Sequence, residues 1–390
     1  MVTVLFSDIQ GFTKIAAATN PEELIKYLNE LFVSFDNIIS KYNIEKIKTI
    51  GDAYMCAGGM PNRDATNPVE VVLAGLEMQR ALDELNAKHD LKMKMRVGIH
   101  TGSVVAGVVG AQKIEYDIWG DTVNIASRME SHGEVGKVNI SEATYRQVKK
   151  FFKCETRGMM NVKNKGEMEM YFVDGILDEL SENGDGITPN HLFNVRKLSL
   201  DFSILQEDIF EQMQHDLPKN LYYHNIKHTS DAIYRVTDIG TKENVSEEDL
   251  LLLRCAALFH DTGFMASYDN NEEIGARLAQ QELGKRKFSR EQIEKIKGMI
   301  MATKVPQNPH NLLEEIMCDA DLDYLGRPDF IPISQNLFRE LFERGKIDSI
   351  EQWNKMQYKF ITEHHYFTET AKRSGEPGKK QVLKELKELI

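Results

Sequence analysis

The sequence predicts an α+β domain followed by an all-α domain, and three observations carry that expectation. Short β-branched runs alternate with amphipathic helical stretches as far as residue 176. An acidic stretch rich in Gly, Ser and Asn, LDELSENGDGITPN at 177–190, then reads as a linker. From His191 to the last residue the pattern is of long amphipathic helices with no clear strand. The expected division is therefore 1–176, 177–190 and 191–390.

Val2 to Phe6 is an apolar run that reads as a buried strand, ending at Asp8 with a turn at Gly11. Asn20-Pro21-Glu22-Glu23 is a helix start: Asn as cap, Pro in the first turn, acids at the positive end of the dipole. Leu24, Leu28, Leu31, Phe35, Ile38 and Ile39 then recur at helical spacing. Ile44 to Ile50 meets Gly51-Asp52 and reverses into Ala53 to Ala57, a hairpin with Asp52 at its tip. A second helix opens at Asn67-Pro68 with Val72, Leu76, Gln79, Leu82 and Leu85 on one side, and MKMRVGIHTG and SVVAGVVG follow as strands joined at Gly102. Strand, helix, strand, strand, helix, strand is the split βαβ order of a ferredoxin-like α+β sheet. Gly98, Gly107 and Gly110 lack the GxxxxGK[ST] spacing of a phosphate loop and suit close packing or bulges. In YDIWGDTVNIASRME, Trp119-Gly120 ends a strand, Asp121 caps a helix, and Asn124 and Arg128 share a face.

Composition excludes several roles. A net charge of -12 argues against nucleic acid or an anionic membrane as the main partner. No apolar run is long enough to span a bilayer, since LLLRCAALF is short and broken by Arg254. The first strand begins almost at Met1, so no signal peptide is expected. The four cysteines lack CxxC spacing and fit free thiols in a reducing cytosol. A cytoplasmic protein is expected.

The chemistry of the first domain centres on FSDIQGFT and TIGDAYM. Asp8 and Asp52 are strand-end carboxylates beside glycines, which suits a Mg²⁺ site that also binds substrate phosphates. Alone, each reads equally well as a turn aspartate. Asn124 and Arg128 can hold a ribose and a phosphate together, although alone they read as a solvated stripe. Together these segments resemble the class III nucleotidyl cyclase domain over residues 1–176, in that family's order and spacing. The resemblance implies two metal ions, Mg²⁺ or Mn²⁺, on Asp8 and Asp52 with the Ile9 backbone carbonyl. It implies base reading by Lys48 and Asp117, ribose orientation by Asn124, stabilisation of the reacting phosphate by Arg128, and a polyphosphate contact from Lys165 in NVKNKGE. It also implies a homodimer, with the aspartates from one protomer and the base-reading and arginine groups from the other. Lys48 only donates and an ionised Asp117 only accepts, which matches adenine N1 and its amino group and mismatches guanine. ATP is therefore the expected substrate, with guanylyl cyclase as the alternative. Because the chain starts on the strand, regulation is expected from the C-terminal half.

That half contains YHNIKHTSDA, LFHDTGF and CDADLDYLG. His and Asp are the ligands with which a Mg²⁺, Mn²⁺ or Fe site makes hydroxide from water. His224 and His228 are four apart, which predicts one helical face. Singly these are a core histidine, a helix cap and turn aspartates. The ordered set resembles the HD-domain metal phosphohydrolases, which implies His228, His260, Asp261 and Asp321 as ligands. Asp321 is preferred to Asp319 because the last motif of that family reads Ala-Asp. YHNIKH also looks like the signature of cyclic-nucleotide phosphodiesterases, which implies His224 as general acid, but the further histidine usual after HD is missing from Thr262 to Met265. A phosphate ester is the expected substrate, with cyclic AMP to AMP as one case. A non-catalytic sensor and a hydrolase of another nucleotide remain alternatives. His310, His364 and His365 are expected to be loop, packing or surface groups, and the tail a short amphipathic helix.

Overall fold

The structure is a computed structural model that describes residues 1–18, 20–109, 115–163 and 165–390. Gly110, one of the glycines expected to pack closely, lies outside the described residues. The chain forms two compact units, Met1–Ile204 and Leu205–Ile390.

The first unit runs β1 (Val2–Ile9), α1 (Phe12–Ala18), α2 (Pro21–Lys41), β2 (Glu45–Ile50), β3 (Ala53–Gly58), α3 (Asn67–His89), β4 (Met95–Gly102), β5 (Val105–Val109), β6 (Glu115–Trp119), α4 (Asp121–Ser131), β7 (Val138–Ser141), α5 (Glu142–Val148), β8 (Phe152–Val162) and β9 (Gly166–Ile176). Seven strands form one sheet in the order β2-β3-β1-β4-β7-β9-β8, with β4 and β7 parallel. Its β2-β3-β1-β4 half is the split βαβ core expected from the sequence. Among the described residues β5 and β6 pair with each other and with no other strand, as a separate ribbon. The first strand is longer than expected: it continues through Asp8 to Ile9, because both residues stay in register with Arg96 and Met95 of β4. Asp121 begins the fourth helix rather than capping it; Gly120 holds the cap position with a φ of 136°. Asn20 does cap α2, accepting from Glu22 N at 2.9 Å.

Strand alternation builds two cores. Leu5 and Ile9 face the side covered by α2 and α3, packing with Leu31, Phe35, Val72 and Met78. Val2, Val4 and Phe6 face the other side, against Val123 and Ala126 of α4. Gly98 makes that second layer possible: a Cβ there would stand 1.8 Å from Glu130 N. Stretch 177–190 contains two 3₁₀ turns, with Leu180 fully buried in the first core. The division between the units falls farther on, inside α6 (His191–Asp216).

The polar residues inside this unit form a chain. Thr3 bridges Asn67 and Thr101, Thr101 meets Thr144, and Thr144 meets Ser141, which holds His100 Nδ1 at 2.7 Å. Burial pushes His100 down to about 4. Above a pH of about 6.5 the ring is neutral folded or unfolded, so it contributes no pH dependence. Below that, the unfolded chain takes a proton that the folded one refuses, and stability falls toward pH 4 by about 1.4 kcal/mol per pH unit. Between pH 7 and 5, wild type should lose about 2 kcal/mol more unfolding free energy than His100→Asn, measured by denaturant titration.

The second unit is helical, with no strand among its described residues: α7 (Ile226–Lys242), α8 (Glu247–Phe259), α9 (Asn271–Lys285), α10 (Arg290–Ala302), α11 (Leu312–Asp321), α12 (Phe330–Glu343), α13 (Ile350–Glu363) and α14 (Glu369–Lys387). α8 is apolar almost all round, with Leu251 to Leu253 and Cys255 to Phe259 buried, and it is the central helix of the bundle. α7, α9, α10 and α11 pack around it. The tail is not a short helix: α14 extends over 19 residues and contains Pro377.

Candidate active sites

In the first unit Asp8 follows Val2, Val4 and Phe6 in the alternation and so lies on the α4 side of the sheet. Its cross-strand partner is Arg96, whose Nη2 is 3.2 Å from Asp8 Oδ2 and 2.8 Å from Glu130 Oε1 at the end of α4. Asp52 sits at the β2–β3 turn, as the sequence predicts. Burial holds its carboxyl above the usual range, the Asp8 carboxylate beside it adds to this, and the Ile9 backbone amide opposes it. Burial likewise raises Glu130, with Asp8 and Asp52 adding and Arg96 opposing. Two carboxyl groups thus share one guanidinium, and a third, Asp52, stands beside Asp8. Their excess negative charge at a strand end fits a divalent cation held by Asp8 and Asp52. Ile9 buries its side chain in the other core, leaving only backbone to this site.

A separate pair lies on β2 and β6. A bulge between Lys46 and Lys48 re-aims β2, and Lys48 Nζ meets Asp117 Oδ2 at 2.6 Å. Burial would raise Asp117, but Lys48 and the Ile118 amide outweigh it and hold the carboxyl low. Asn124 is exposed and Arg128 half-buried, one turn apart on α4. Lys165 pairs with Asp121 at the start of that helix.

In the second unit four side chains converge. His228 Nε2 is 3.1 Å from Asp321 Oδ1 and 3.3 Å from Asp261 Oδ2; His260 Nε2 is 3.4 and 3.2 Å from the same atoms. The two Nε2 atoms stand 3.2 Å apart. His260 Nδ1 donates to Ala257 O at 2.8 Å, which turns the Nε2 lone pair toward the cluster. Asp261 Oδ2 is buried and accepts no hydrogen bond. Two imidazole nitrogens and two carboxylate oxygens facing one point are donors that a divalent cation takes together, so the set fits a metal. Asp319 lies elsewhere. Two positions from Asp321 on α11, it points away and accepts from Phe367 N, Thr368 N and Thr368 Oγ1 at 2.8, 2.8 and 2.7 Å, holding the start of α14. Asp319→Ala should cost about 3 kcal/mol in denaturant unfolding and leave metal binding at His228 and His260 intact.

His224 corrects the expectation of a shared helical face. Asn225 caps α7, accepting from Lys227 N and His228 N, so His224 lies outside the helix. It is held instead by Glu340 of α12, which is fully buried: His224 Nδ1 is 2.5 Å from Glu340 Oε1, and Tyr223 N and Tyr268 OH also donate to that carboxylate. Burial would lower His224, but Glu340 outweighs it and raises the ring's pKa. Beside His224, Asp261 and Asp321 opens a cavity of about 500 Å³.

Sequence reasoning missed Arg96, Glu130 and Glu340. Arg96 could have been found from its place in MKMRVGIHTG beside the first strand; Glu340 is 116 positions from its partner and left no local signal.

The strand-end acids, the donor–acceptor pair and the helical His/Asp cluster fit a nucleotidyl cyclase domain and a helical metal-binding domain in one chain. Residues 1–175 match the family model described as adenylate and guanylate cyclase catalytic domain, and residues 215–323 match the HD domain. The chain therefore carries a class III cyclase catalytic domain and an HD domain. It is 39% identical over 173 residues to an adenylate cyclase of Mycobacterium tuberculosis (strain ATCC 25618 / H37Rv), covering 44% of this chain and 39% of that protein. It is 40% identical over 177 residues to guanylate cyclase 32E of Drosophila melanogaster, covering 44% and 15%. The chain thus spans about two fifths of the length of the first of these relatives. Among solved structures, the guanylate cyclase domain of RhGC from Catenaria anguillulae in complex with GTP is 35% identical, with 44% of this chain and 94% of that one covered and a TM-score of 0.43. The adenylyl cyclase CyaB from P. aeruginosa is 32% identical, with 44% and 92% covered and a TM-score of 0.43. No described helix is long and apolar enough to cross a membrane.

Proposed function

We infer that the first domain converts ATP to 3′,5′-cyclic AMP and pyrophosphate at a site shared by two copies of the chain, and that the HD domain is a metal-dependent phosphohydrolase. The observation that carries the first reading is the Lys48–Asp117 pair at 2.6 Å. A fixed donor beside a fixed acceptor complements the adenine edge; guanine would set donor against donor and acceptor against acceptor. Divalent ions bound at Asp8 and Asp52 would lower the pKa of the ribose 3′ hydroxyl and draw charge onto the leaving pyrophosphate. Asn124 would orient the ribose, Arg128 would meet the charge that develops on the α-phosphate, and Lys165 would reach the polyphosphate. Arg96 holds Asp8 against Glu130 and so fixes the carboxylate's direction. The β5–β6 ribbon supports the shared site. It lies outside the main sheet and exposes Val105, Val108, Val109 and Trp119. Two strands are marginally stable alone in water, and a second copy would cover them.

The HD reading rests on the convergence of His228, His260, Asp261 and Asp321 around one point, with His224 poised by Glu340 to give a proton to a leaving oxygen. The test of the base reading is a rate comparison with ATP and GTP. Wild type should favour ATP by ~10²-fold or more in kcat/KM, and Lys48→Glu with Asp117→Ser should shift the preference toward GTP. Equal use of both nucleotides by wild type would contradict the pair's assignment.

A further inference from the structure

Arg96 sets a difficulty for a metal site at Asp8. The two residues are cross-strand partners in the β1–β4 ladder, so register fixes the guanidinium beside the carboxylate. Arg96 Nη2 donates to Asp8 Oδ2 at 3.2 Å. A guanidinium stays charged, so on Asp8 it competes with a divalent ion and repels it. The site needs a second acceptor for this charge, and Glu130 is placed to be one. Its side chain is 12% exposed, and its Oε1 stands 2.8 Å from the same Nη2. Among the described residues neither that oxygen nor Arg96 Nε has a hydrogen-bond partner, and both atoms are buried. Nε and Nη2 form one edge of the guanidinium fork, the kind of edge that takes both oxygens of a carboxylate. A buried donor and a buried acceptor are thus left unused on two groups already in contact, a cost that packing alone does not explain.

The backbone explains why Glu130 is there. Gly98 lies two residues past Arg96 on the same face of β4. A Cβ at Gly98 would stand 1.8 Å from Glu130 N. Glycine's lack of a side chain lets the end of α4 rest on the strand, which brings Glu130 to Arg96. Resting on the cyclase reading above, we propose that Glu130 is a positioning residue for the metal site: it accepts the Arg96 guanidinium on the Nε–Nη2 edge and so frees Asp8 to hold a divalent ion. Glu130 thereby sets how tightly Asp8 and Asp52 bind the ion. Neutralising Glu130 leaves Asp8 as the ion-pair partner of Arg96, and an ion must then compete with the guanidinium for the carboxylate. Removing both charges, on Glu130 and on Arg96, ends that competition.

The test measures ion binding directly. Full-length protein carrying Asp261→Ala, so that the second unit adds no tight site, would be titrated with Mn²⁺ alone, with free Mn²⁺ read by electron paramagnetic resonance. The Mn²⁺ that a further Asp8→Ala removes is the Mn²⁺ bound at Asp8. Glu130→Gln should raise the concentration for half-saturation of that Mn²⁺ by about tenfold or more. Adding Arg96→Gln to it should bring the value back toward that of the parent, because the two changes act on one interaction. Glu130→Asp, whose shorter side chain draws the carboxylate back from Arg96, should shift binding the same way by a smaller factor, and it carries the test if Glu130→Gln does not fold. In protein with Asp261 intact, the Mn²⁺ dependence of cyclic AMP formation by Glu130→Gln should move by the same factor as binding. A Glu130 that only supports the fold would lower the unfolding midpoint and leave the half-saturation where it was. An unmoved half-saturation in the folded variants, or a shift that Arg96→Gln does not reverse, would overturn the proposal. If Asp8→Ala removes no bound Mn²⁺, the metal assignment itself falls and takes this inference with it.

Discussion

Replacing Asp8 by alanine should cut cyclic AMP formation by about 10³-fold or more and leave the HD site untouched. Asp8 and Asp52 stand side by side, and burial and mutual repulsion already raise Asp52. Removing one carboxylate relieves that repulsion, and Arg96 keeps Glu130 as a partner at 2.8 Å. The folded state therefore loses little, while the cation loses half of its side-chain ligands. Loss of synthesis with an unchanged unfolding midpoint is the expected pair of results, read by product formation and denaturant titration. Full synthesis by Asp8→Ala would contradict the metal assignment.

The second large effect is expected at Asp261. Its Oδ2 is buried without a hydrogen bond, and both histidine Nε2 atoms lie within 3.3 Å of it. Asp261→Ala should abolish tight Mn²⁺ binding in the second unit and lower phosphodiester hydrolysis by about 10³-fold. Cyclic AMP synthesis should stay at the wild-type rate, because Asp8 and Asp52 belong to the other unit. Metal content of the dialysed protein and the two activities, measured on one preparation, check this. Retention of hydrolysis and metal would contradict the assignment of Asp261 as a ligand.

Much of the fold could be read from sequence because the patterns are local. Alternation in β1, the Asn20-Pro21 start of α2 and the Gly51-Asp52 turn each depend on a few neighbouring residues. What escaped depends on tertiary partners. β1 runs on to Ile9 because β4 offers it a register, which no feature of Asp8 itself announces. His224 leaves the helix because Asn225 satisfies the first amides of α7, a choice the four-residue spacing of the histidines conceals. The sites divided the same way. Residues in compact motifs, such as Asp52 or His260-Asp261, could be named in advance. Arg96 and Glu340 act through partners 88 and 116 positions away, and only the folded chain shows them.

Mixing two inactive variants tests the shared cyclase site most directly. Asp8→Ala lacks a metal carboxylate and Arg128→Ala lacks the phosphate-facing guanidinium, so each homodimer should be silent. Random exchange of subunits makes half of the dimers mixed, and each mixed dimer has one intact site of two. Activity should therefore return to about a quarter of wild type. A mixture that stays silent after subunit exchange, or a wild-type protein that makes cyclic AMP as a monomer, would contradict the account.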